Sequence, residues 1–352
     1  MIGYNNPMAQ IGKIISTALS GLNPRQKEVL LARYGLDKEN GGGETLAAIG
    51  ERLKVTRERV RQIENAGATL ARADLLKSTE ATSMIEKLKK YLVGRGGVTP
   101  KADLVKYAGS LMKGVRESQV DFLAEVTGTF HLYREDEDFK PFYYLEAKDL
   151  KNAKAFVDGW VSHLRPRKDK VFGEGAYEAQ LAGFVKTKAL ANAIAENYLS
   201  IAKHIHENPY GDKGLREWPE IHPMTVRDKI YLILKKKGEP LHFEDIARHI
   251  NQIDFDGQKA LAPTVHNELI KDKRFVLVGR GIYGLREHGY EPGTAREVIA
   301  KVLKHDGPLV AQDVVEKVNS QRFFKSNTIL INLQNRSFFE RLPDGKYRVR
   351  ES

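Results

Sequence analysis

The sequence predicts a mainly α-helical protein with small β-hairpins, in which a helix-turn-helix domain precedes several winged-helix domains and a helical connector. Three observations support this fold class. Apolar residues recur at helical spacing through most of the chain. The second half contains two similar copies of one segment, and each copy ends in two strand-like runs joined by a glycine turn. The predicted boundaries are residues 1–80 for the helix-turn-helix, 81–147 for a winged helix, 148–221 for the connector, 222–290 for a second winged helix and 291–352 for a third, degenerate one.

The composition limits the classes of protein to consider. The 352 residues suffice for two to four domains, and the formal net charge is +11. That charge suits a polyanionic partner such as nucleic acid but defines no fold. Cysteine is absent, which excludes disulfides and thiolate metal sites and fits a reducing cytoplasm. The chain shows no signal peptide and no apolar run long enough for a membrane span, so we expect a cytoplasmic protein with no membrane partner.

The first predicted helix lies in "LNPRQKEVLLARYGL". Asn23 is a good helix cap and Pro24 suits a first turn, so the helix should run from about Pro24 to Tyr34 and stop at Gly35. The glycine-rich "ENGGGET" predicts a loop. Thr45 then caps a second short helix in "TLAAIGERL", with its leucines and isoleucine on one face.

A third helix begins after Thr56, within "VTRERVRQIE". Its spacing turns Val60, Ile63 and Leu70 inward. Two short helices, a brief turn and a more basic helix make a helix-turn-helix, in which the second helix of the motif enters the major groove of DNA.

The side of this helix opposite its apolar residues carries Arg57, Glu58, Arg61 and Gln62. Arginine can pair with guanine, glutamate with cytosine and glutamine with adenine, so these four are the candidate base-reading residues. Three neighbours are candidate phosphate contacts: Lys54, Thr56 and Arg59. The alternative is a solvated helix face with pairs between neighbouring turns, and Glu58 is favoured near a helix N-terminus in any case.

Residues 22–72, with "VTRERVRQIE" at their centre, resemble the fourth conserved region of the housekeeping sigma factors of bacterial RNA polymerase. The resemblance implies that the basic helix reads the upstream promoter element. Lys54 stands where the family usually has glycine, and Gly67 is expected to interrupt the helix. The basic tail is reduced to residues 71–73. The region that melts the downstream promoter element is not recognisable, so the chain should not be a complete sigma factor.

Residues 81–147 predict another winged helix, since three helical segments precede two aromatic strands. The strands flank Glu135, Asp136, Glu137 and Asp138. We interpret this cluster as an acidic hairpin tip rather than a metal site, because no histidine or glycine pattern accompanies it. Such a wing would repel DNA, which leaves protein binding, or no binding, for this domain.

The connector should be a packed helical segment. Six apolar residues at helical spacing predict its first helix: Ala153, Phe156, Val157, Trp160, Val161 and Leu164. The pattern of residues 177–205 predicts another long helix. Between them lie four basic residues that suit either phosphate contact or a helix C-terminus: Arg165, Arg167, Lys168 and Lys170. His204 and His206 would diverge on a helix and make a poor metal pair.

The second half contains an internal repeat. Residues 225–251 match 294–319, and residues 264–285 match 328–349. The match pairs four residues of the first copy with four of the second: Leu269 with Leu333, Phe275 with Phe339, Gly281 with Gly345 and Tyr283 with Tyr347. Each copy should contain two helices, a third helix opening at Thr264 or Thr328, and a hairpin.

The first copy, with "FVLVGRGIYGL", resembles the HARE-HTH winged helices, which are related to the delta subunit of bacterial RNA polymerase. The second copy is a degenerate relative. The resemblance implies binding to DNA or polymerase and supplies no catalytic residues. His266, Asn267 and Lys271 are expected on the exposed part of the third helix. Arg280 is expected at the wing tip, where it meets phosphate or a minor groove, or simply faces solvent.

No nucleotide-binding, serine hydrolase or zinc protease motif is present in the sequence, so an enzyme is not expected, nor a cofactor, metal or small-molecule substrate. The sequence favours a DNA-binding transcription protein with double-stranded DNA and bacterial RNA polymerase as partners. Two alternatives stay open. One is a delta-like polymerase accessory protein with little DNA readout, and the other is a DNA-targeting module of a restriction-type system.

Overall fold

The computed structural model describes residues 9–38, 42–172, 177–290, 293–321 and 324–350. The chain divides into two compact units, residues 1–206 and 207–352. Both are mainly α-helical with small antiparallel β-sheets, which confirms the predicted fold class. The five domain boundaries stay a prediction, and residues 39–41 of the predicted glycine-rich loop lie outside the described residues.

None of the helices in the described ranges combines the length and the apolar character needed to cross a bilayer.

Four helices form the first part of the first unit. They are α1 (Ala9–Ala18), α2 (Pro24–Tyr34), α3 (Leu46–Leu53) and α4 (Arg57–Lys77). The predicted start and stop of α2 are confirmed, because the Asn23 side chain accepts from the Gln26 amide and Gly35 adopts a left-handed conformation with φ 60°. Thr45 and Thr56 cap α3 and α4 as predicted.

Two expectations for α4 are wrong. The helix runs unbroken through Gly67, which lies against α2; an added Cβ there would be 3.3 Å from Leu30 Cδ1. Gly67 therefore permits close helix packing instead of interrupting the helix. Leu70 is 47% exposed, because the buried stripe of α4 runs through Val60, Gly67, Ala71 and Leu75.

The next six elements have the order of a winged helix, as predicted. They are α5 (Thr79–Val93), β1 (Val98–Pro100), α6 (Lys101–Leu111), α7 (Glu117–Thr127), β2 (His131–Tyr133) and β3 (Phe142–Tyr144). The antiparallel sheet has the order β1-β3-β2. Residues 135–138 lie between β2 and β3, so the predicted acidic hairpin tip is confirmed.

One hydrophobic core joins this winged helix to the preceding four helices. It contains Ile11 and Leu19 from the N-terminal segment, Leu75 from α4, and Phe122 and Leu123 from α7. The ring of Tyr34 meets the edge of Phe122 at 5.3 Å, and the Arg116 guanidinium donates to the Leu36 carbonyl at 2.8 Å. The winged helix and the preceding helices therefore stabilise one another through this shared core.

The connector consists of several helices. They are α8 (Ala147–Leu164), a 3₁₀ turn (Arg165–Arg167), α9 (Lys168–Phe172), α10 (Tyr177–Thr187) and α11 (Asn192–Ser200), followed by β4 (Ile205–Glu207). All six residues predicted to face inward from α8 are buried. The expected long helix over 177–205 is wrong, because the chain turns between α10 and α11 with Ala189 at φ 49°. His204 and His206 lie beyond these helices, and His204 Nε2 is 2.9 Å from Asp138 Oδ1.

The second unit contains β5 (Lys213–Leu215) and the two repeat copies. The first copy comprises α12 (Val226–Lys237), β6 (Leu241–His242), α13 (Phe243–Ile253), α14 (Ala262–Lys271), β7 (Phe275–Gly279) and β8 (Ile282–Leu285). The second comprises α15 (Ala295–Asp306), α16 (Ala311–Asn319), α17 (Ser326–Leu333), β9 (Phe339–Arg341) and β10 (Tyr347–Val349).

The repeat predicted from sequence holds in three dimensions. Leu269 and Phe275 lie in the core of the first copy, and Leu333 and Phe339 occupy the matching positions in the core of the second. Gly281 and Gly345 adopt φ values of 71° and 84° at the two hairpin turns, a conformation that favours glycine. Each third helix begins two residues before the threonine at which the sequence predicts its start.

Candidate nucleic-acid interface

The N-terminal turn of α4 is fixed by its cap and by a small core. Thr56 Oγ1 accepts from the Arg59 amide at 3.2 Å, so this candidate phosphate contact also serves as the helix cap. Val29, Ile49 and Val60 bury their side chains together between α2, α3 and α4. The first turns of α4 are therefore held rigidly while their outer face stays exposed.

The turn between α3 and α4 requires close approach of the backbone. The Val55 amide donates to the Gly50 carbonyl at 2.9 Å, and a Cβ added at Gly50 would be 2.7 Å from the Val55 carbonyl oxygen. A side chain at position 50 would push α4 away from α3. Sequence reasoning missed this residue, although a glycine inside a short predicted helix is a signal of such packing.

Lys54 ends α3 in the left-handed conformation with φ 55°. This conformation explains why glycine suits the position, since a side chain makes it unfavourable by about 1–2 kcal/mol. We expect Lys54→Gly to raise the free energy of unfolding by about 0.5–1 kcal/mol, because the relieved strain exceeds the added chain entropy of glycine.

Urea denaturation of the two proteins measures this difference. Lys54→Ala is the matched control: it removes the same charge but keeps a Cβ, so its stability should stay near that of the original chain. A gain equal to that of Lys54→Gly would attribute the effect to charge rather than to backbone strain.

The four candidate base-reading residues share one exposed face at the start of α4, as predicted. Three of the four are already paired with neighbours. Arg61 donates to both carboxylate oxygens of Glu58, at 2.8 and 2.7 Å, and Arg59 Nη1 donates to Gln62 Oε1 at 3.1 Å. The hydrogen bond from Arg61 holds the pKa of Glu58 below its usual range. Glu58 therefore stays ionised and orients the Arg61 guanidinium outward.

The third helix of the 81–147 winged helix has a different role. In this kind of fold the third helix is the one that enters a DNA groove. Eight of its residues are buried: Ser118, Gln119, Val120, Phe122, Leu123, Ala124, Val126 and Thr127. Its surroundings include α2 and α4, so α7 is a packing element.

The carboxylates at the acidic tip of the same winged helix bond to neighbouring groups of this unit. Lys203 Nζ lies 2.5 Å from Glu135 Oε1, and Asp136 accepts from the Phe139 amide at 2.7 Å. Hydrogen bonds, led by that from the Tyr133 hydroxyl, hold the pKa of Asp136 below its usual range. These contacts within the unit explain why so many carboxylates are tolerated on one loop.

The first repeat copy places its predicted contacts unevenly. Asn267 and Lys271 are exposed on α14, and Arg280 is exposed at the turn between β7 and β8. The expectation that His266 is exposed is wrong: it is half-buried, with its ring stacked on Phe243 at a centroid distance of 4.6 Å. His266 thus supports the base of the hairpin.

Arg274, just before β7 in the same copy, is paired within the protein. Its guanidinium donates to Asp272 Oδ2 at 2.7 Å and lies over the Tyr231 ring at 4.9 Å. The hydrogen bond to Asp272 raises the pKa of Arg274 further. Lys271 is also paired, because its Nζ lies 3.5 Å from Glu268 Oε1. Lys273 and Arg280 form no ion pair within the described residues, so they are the cations near this hairpin that are left for a phosphate.

The second copy pairs two of its hairpin cations with carboxylates. Arg348 Nη2 lies 2.8 Å from Glu340 Oε2 across the hairpin, and Lys346 lies 3.6 Å from Asp344 at the turn. Its third helix exposes an isoleucine, Ile331, with 67% of its surface accessible. The two copies therefore share a fold and present different surfaces.

Part of the chain is similar to sigma factors of bacterial RNA polymerase. A 41% identity over 83 residues links it to the RNA polymerase sigma factor SigA of Clostridium acetobutylicum, covering 24% of this chain and 18% of that protein. SigA1 of Synechococcus elongatus is 56% identical over 46 residues, covering 13% of this chain and 11% of that protein. The sigma-B factor of a Nostoc species is 49% identical over 59 residues, covering 16% and 17%. The chain thus spans less than a fifth of the length of these relatives. Residues 18–69 match the family model of sigma-70 region 4.

Proposed function

We propose that this chain is a DNA-binding transcription protein that acts with bacterial RNA polymerase. One observation supports this proposal most strongly. The residues that match sigma-70 region 4, 18–69, include the first turns of α4, whose outer face is exposed and whose N-terminus is capped by Thr56. In this proposal α4 lies in the major groove of promoter-type duplex DNA. Double-stranded DNA and the polymerase are the two partners.

Each residue of the α4 face has a proposed role. Arg57 and Arg61 donate to guanine edges, Glu58 accepts from cytosine and Gln62 pairs with adenine. Lys54, Thr56 and Arg59 contact phosphates and set the register of α4 on the duplex. Their exposure and their position at the leading turns of the helix support these assignments.

The winged helices of the second unit extend this function. We propose that residues 222–290 form a HARE-HTH-like domain that binds DNA or the polymerase, with Arg280 as a wing contact. The exposed positions of Asn267, Lys271 and Arg280 support a DNA contact. Residues 291–352 serve as a packing partner or a protein-binding surface, which suits their paired charges and the exposed Ile331.

The two copies should differ in DNA affinity. Expressed separately, residues 222–290 should bind a duplex at low salt at least tenfold more tightly than residues 293–352, because phosphate affinity depends on free local cations. Each copy has its own hydrophobic core, so circular dichroism can show that both fold. Equal or stronger binding by residues 293–352 would contradict the assignment. Absence of binding by either would favour a polymerase-accessory role for this half.

Transcription with purified polymerase tests the proposed function. The chain should associate with core enzyme, yet core enzyme plus this chain should yield no run-off transcript without a sigma factor, because no segment resembles the part that melts DNA. Adding the chain to a complete holoenzyme should change the amount of transcript from a promoter that contains its site. A run-off product without another sigma factor would contradict the proposal, and so would the lack of any polymerase association.

A further inference from the structure

Two tyrosines and an arginine form a stack on the surface of the first unit. The rings of Tyr91 on α5 and Tyr107 on α6 lie 4.1 Å apart and are parallel within 13°. The Arg95 guanidinium carbon lies 4.3 Å from the centre of the Tyr91 ring. All three side chains are half-exposed, so the stack reaches solvent while its base packs on the core.

The turn that carries Arg95 is rigid. Asn197 Nδ2 donates to the Arg95 carbonyl at 2.9 Å, and the Tyr198 hydroxyl donates to the Gly96 carbonyl at 2.8 Å. Gly96 adopts φ 77°, and a Cβ there would be 2.5 Å from Ile194 Cγ2. The backbone that positions Arg95 is therefore held by α11, which lowers the entropy cost of binding to this stack.

Three lysines lie close to the stack in the sequence. Lys87 lies one helical turn before Tyr91, and Lys90 and Lys106 precede the two tyrosines directly. All three lysines are exposed, and within the described residues none of them forms an ion pair. The acidic residues nearest in sequence are Glu86 and Asp103. The stack and these lysines, here called the tyrosine platform, combine flat π surfaces with unpaired positive charge.

We propose that the tyrosine platform binds single-stranded nucleic acid. An unpaired base stacks on the exposed guanidinium or phenol plane, and the flanking lysines hold the adjoining phosphates. A duplex hides its base faces inside the helix, so a stacking surface favours the single strand. Helix α4 of the helix-turn-helix plays no part in this contact. The site therefore stands whether or not α4 reads promoter DNA.

Fluorescence anisotropy of the full chain with labelled oligo(dT) of about 15 nucleotides tests the proposal. Tyr91→Leu keeps apolar bulk but removes the ring against which Tyr107 and Arg95 stack, so the platform loses its order. This variant should weaken binding by about five- to a hundredfold. Tyr91→Phe keeps the ring and should bind as the original chain does. Thermal melting of each variant shows whether the fold persists.

A charge-matched pair of double variants gives a second measurement. Lys87→Gln with Arg95→Gln should weaken binding and reduce the salt dependence by about 0.7 per lost phosphate contact. Lys89→Gln with Lys186→Gln removes two exposed charges away from the platform and should change affinity less than twofold. Arg61→Ala should leave oligo(dT) binding intact.

Three results would overturn the proposal: no oligo(dT) binding by the original chain, equal loss in both double variants, or equal loss in Tyr91→Phe and Tyr91→Leu. Displacement of oligo(dT) by an equal concentration of duplex would also contradict it, because that result assigns the surface to phosphates alone.

Discussion

Arg61→Ala should weaken binding to the preferred duplex by about 1–3 kcal/mol and relax the base preference at one position. Arg61 is half-exposed, and Glu58 holds its guanidinium in a bidentate pair, so the side chain is oriented before it meets DNA. The loss should be specific to the preferred sequence. Titration of the preferred duplex and of single-base variants by anisotropy measures both effects.

Arg61→Lys is the matched control, since it keeps the charge and loses the planar fork. It should bind non-preferred duplexes as well as the original chain but should still lose discrimination. If Arg61→Ala instead weakens every duplex equally, Arg61 is a phosphate contact and the base-reading assignment is wrong.

Phe122→Ala should lower the free energy of unfolding by about 3–5 kcal/mol. Phe122 is fully buried on α7, where it meets Tyr34 in the core that joins the helix-turn-helix to the following winged helix. Because that core is shared, the variant should weaken both parts together. Denaturation followed by circular dichroism and by tryptophan fluorescence, to which Trp160 and Trp218 both contribute, gives the size of the change.

Val93→Ala is the control for this prediction. Val93 is 58% exposed, so the substitution removes apolar bulk from the surface of α5 and not from the core. Its stability should change by less than about 0.5 kcal/mol. A loss below about 1 kcal/mol in Phe122→Ala would show that the two parts do not depend on the shared core.

Local signals in the sequence predicted the helix-turn-helix well. Asn23, Gly35, Thr45 and Thr56 act through bonds to the nearest backbone groups, and Pro24 acts through its fixed φ. Their effect is visible without knowledge of the fold. The repeat was equally accessible, because matching apolar positions imply matching cores.

No helix is predicted from the sequence over residues 9–18, although the apolar residues of α1 have helical spacing. Ile11, Ile14, Ile15 and Ala18 lie at helical spacing, and all four are buried. The burial of α1 against α4 follows from contacts far apart in the chain.

Features that depend on distant partners were beyond the sequence. Gly67 matters because α2 packs closely against α4 at that point. Arg274 is unavailable to a partner because it bonds to Asp272 and lies over the Tyr231 ring. His266 is held by Phe243 from another helix. The candidate base-reading face, in contrast, required only the helical period and one apolar stripe.

Selection from a random duplex library at two salt concentrations tests the central claim most directly. The original chain should enrich one promoter-like motif at both concentrations, and a chain with Arg57, Glu58, Arg61 and Gln62 all changed to Ala should lose that motif. Non-specific retention should fall steeply with salt in both proteins. Enrichment of the same motif by the changed chain, or of no motif by either protein, would contradict the claim that α4 reads DNA.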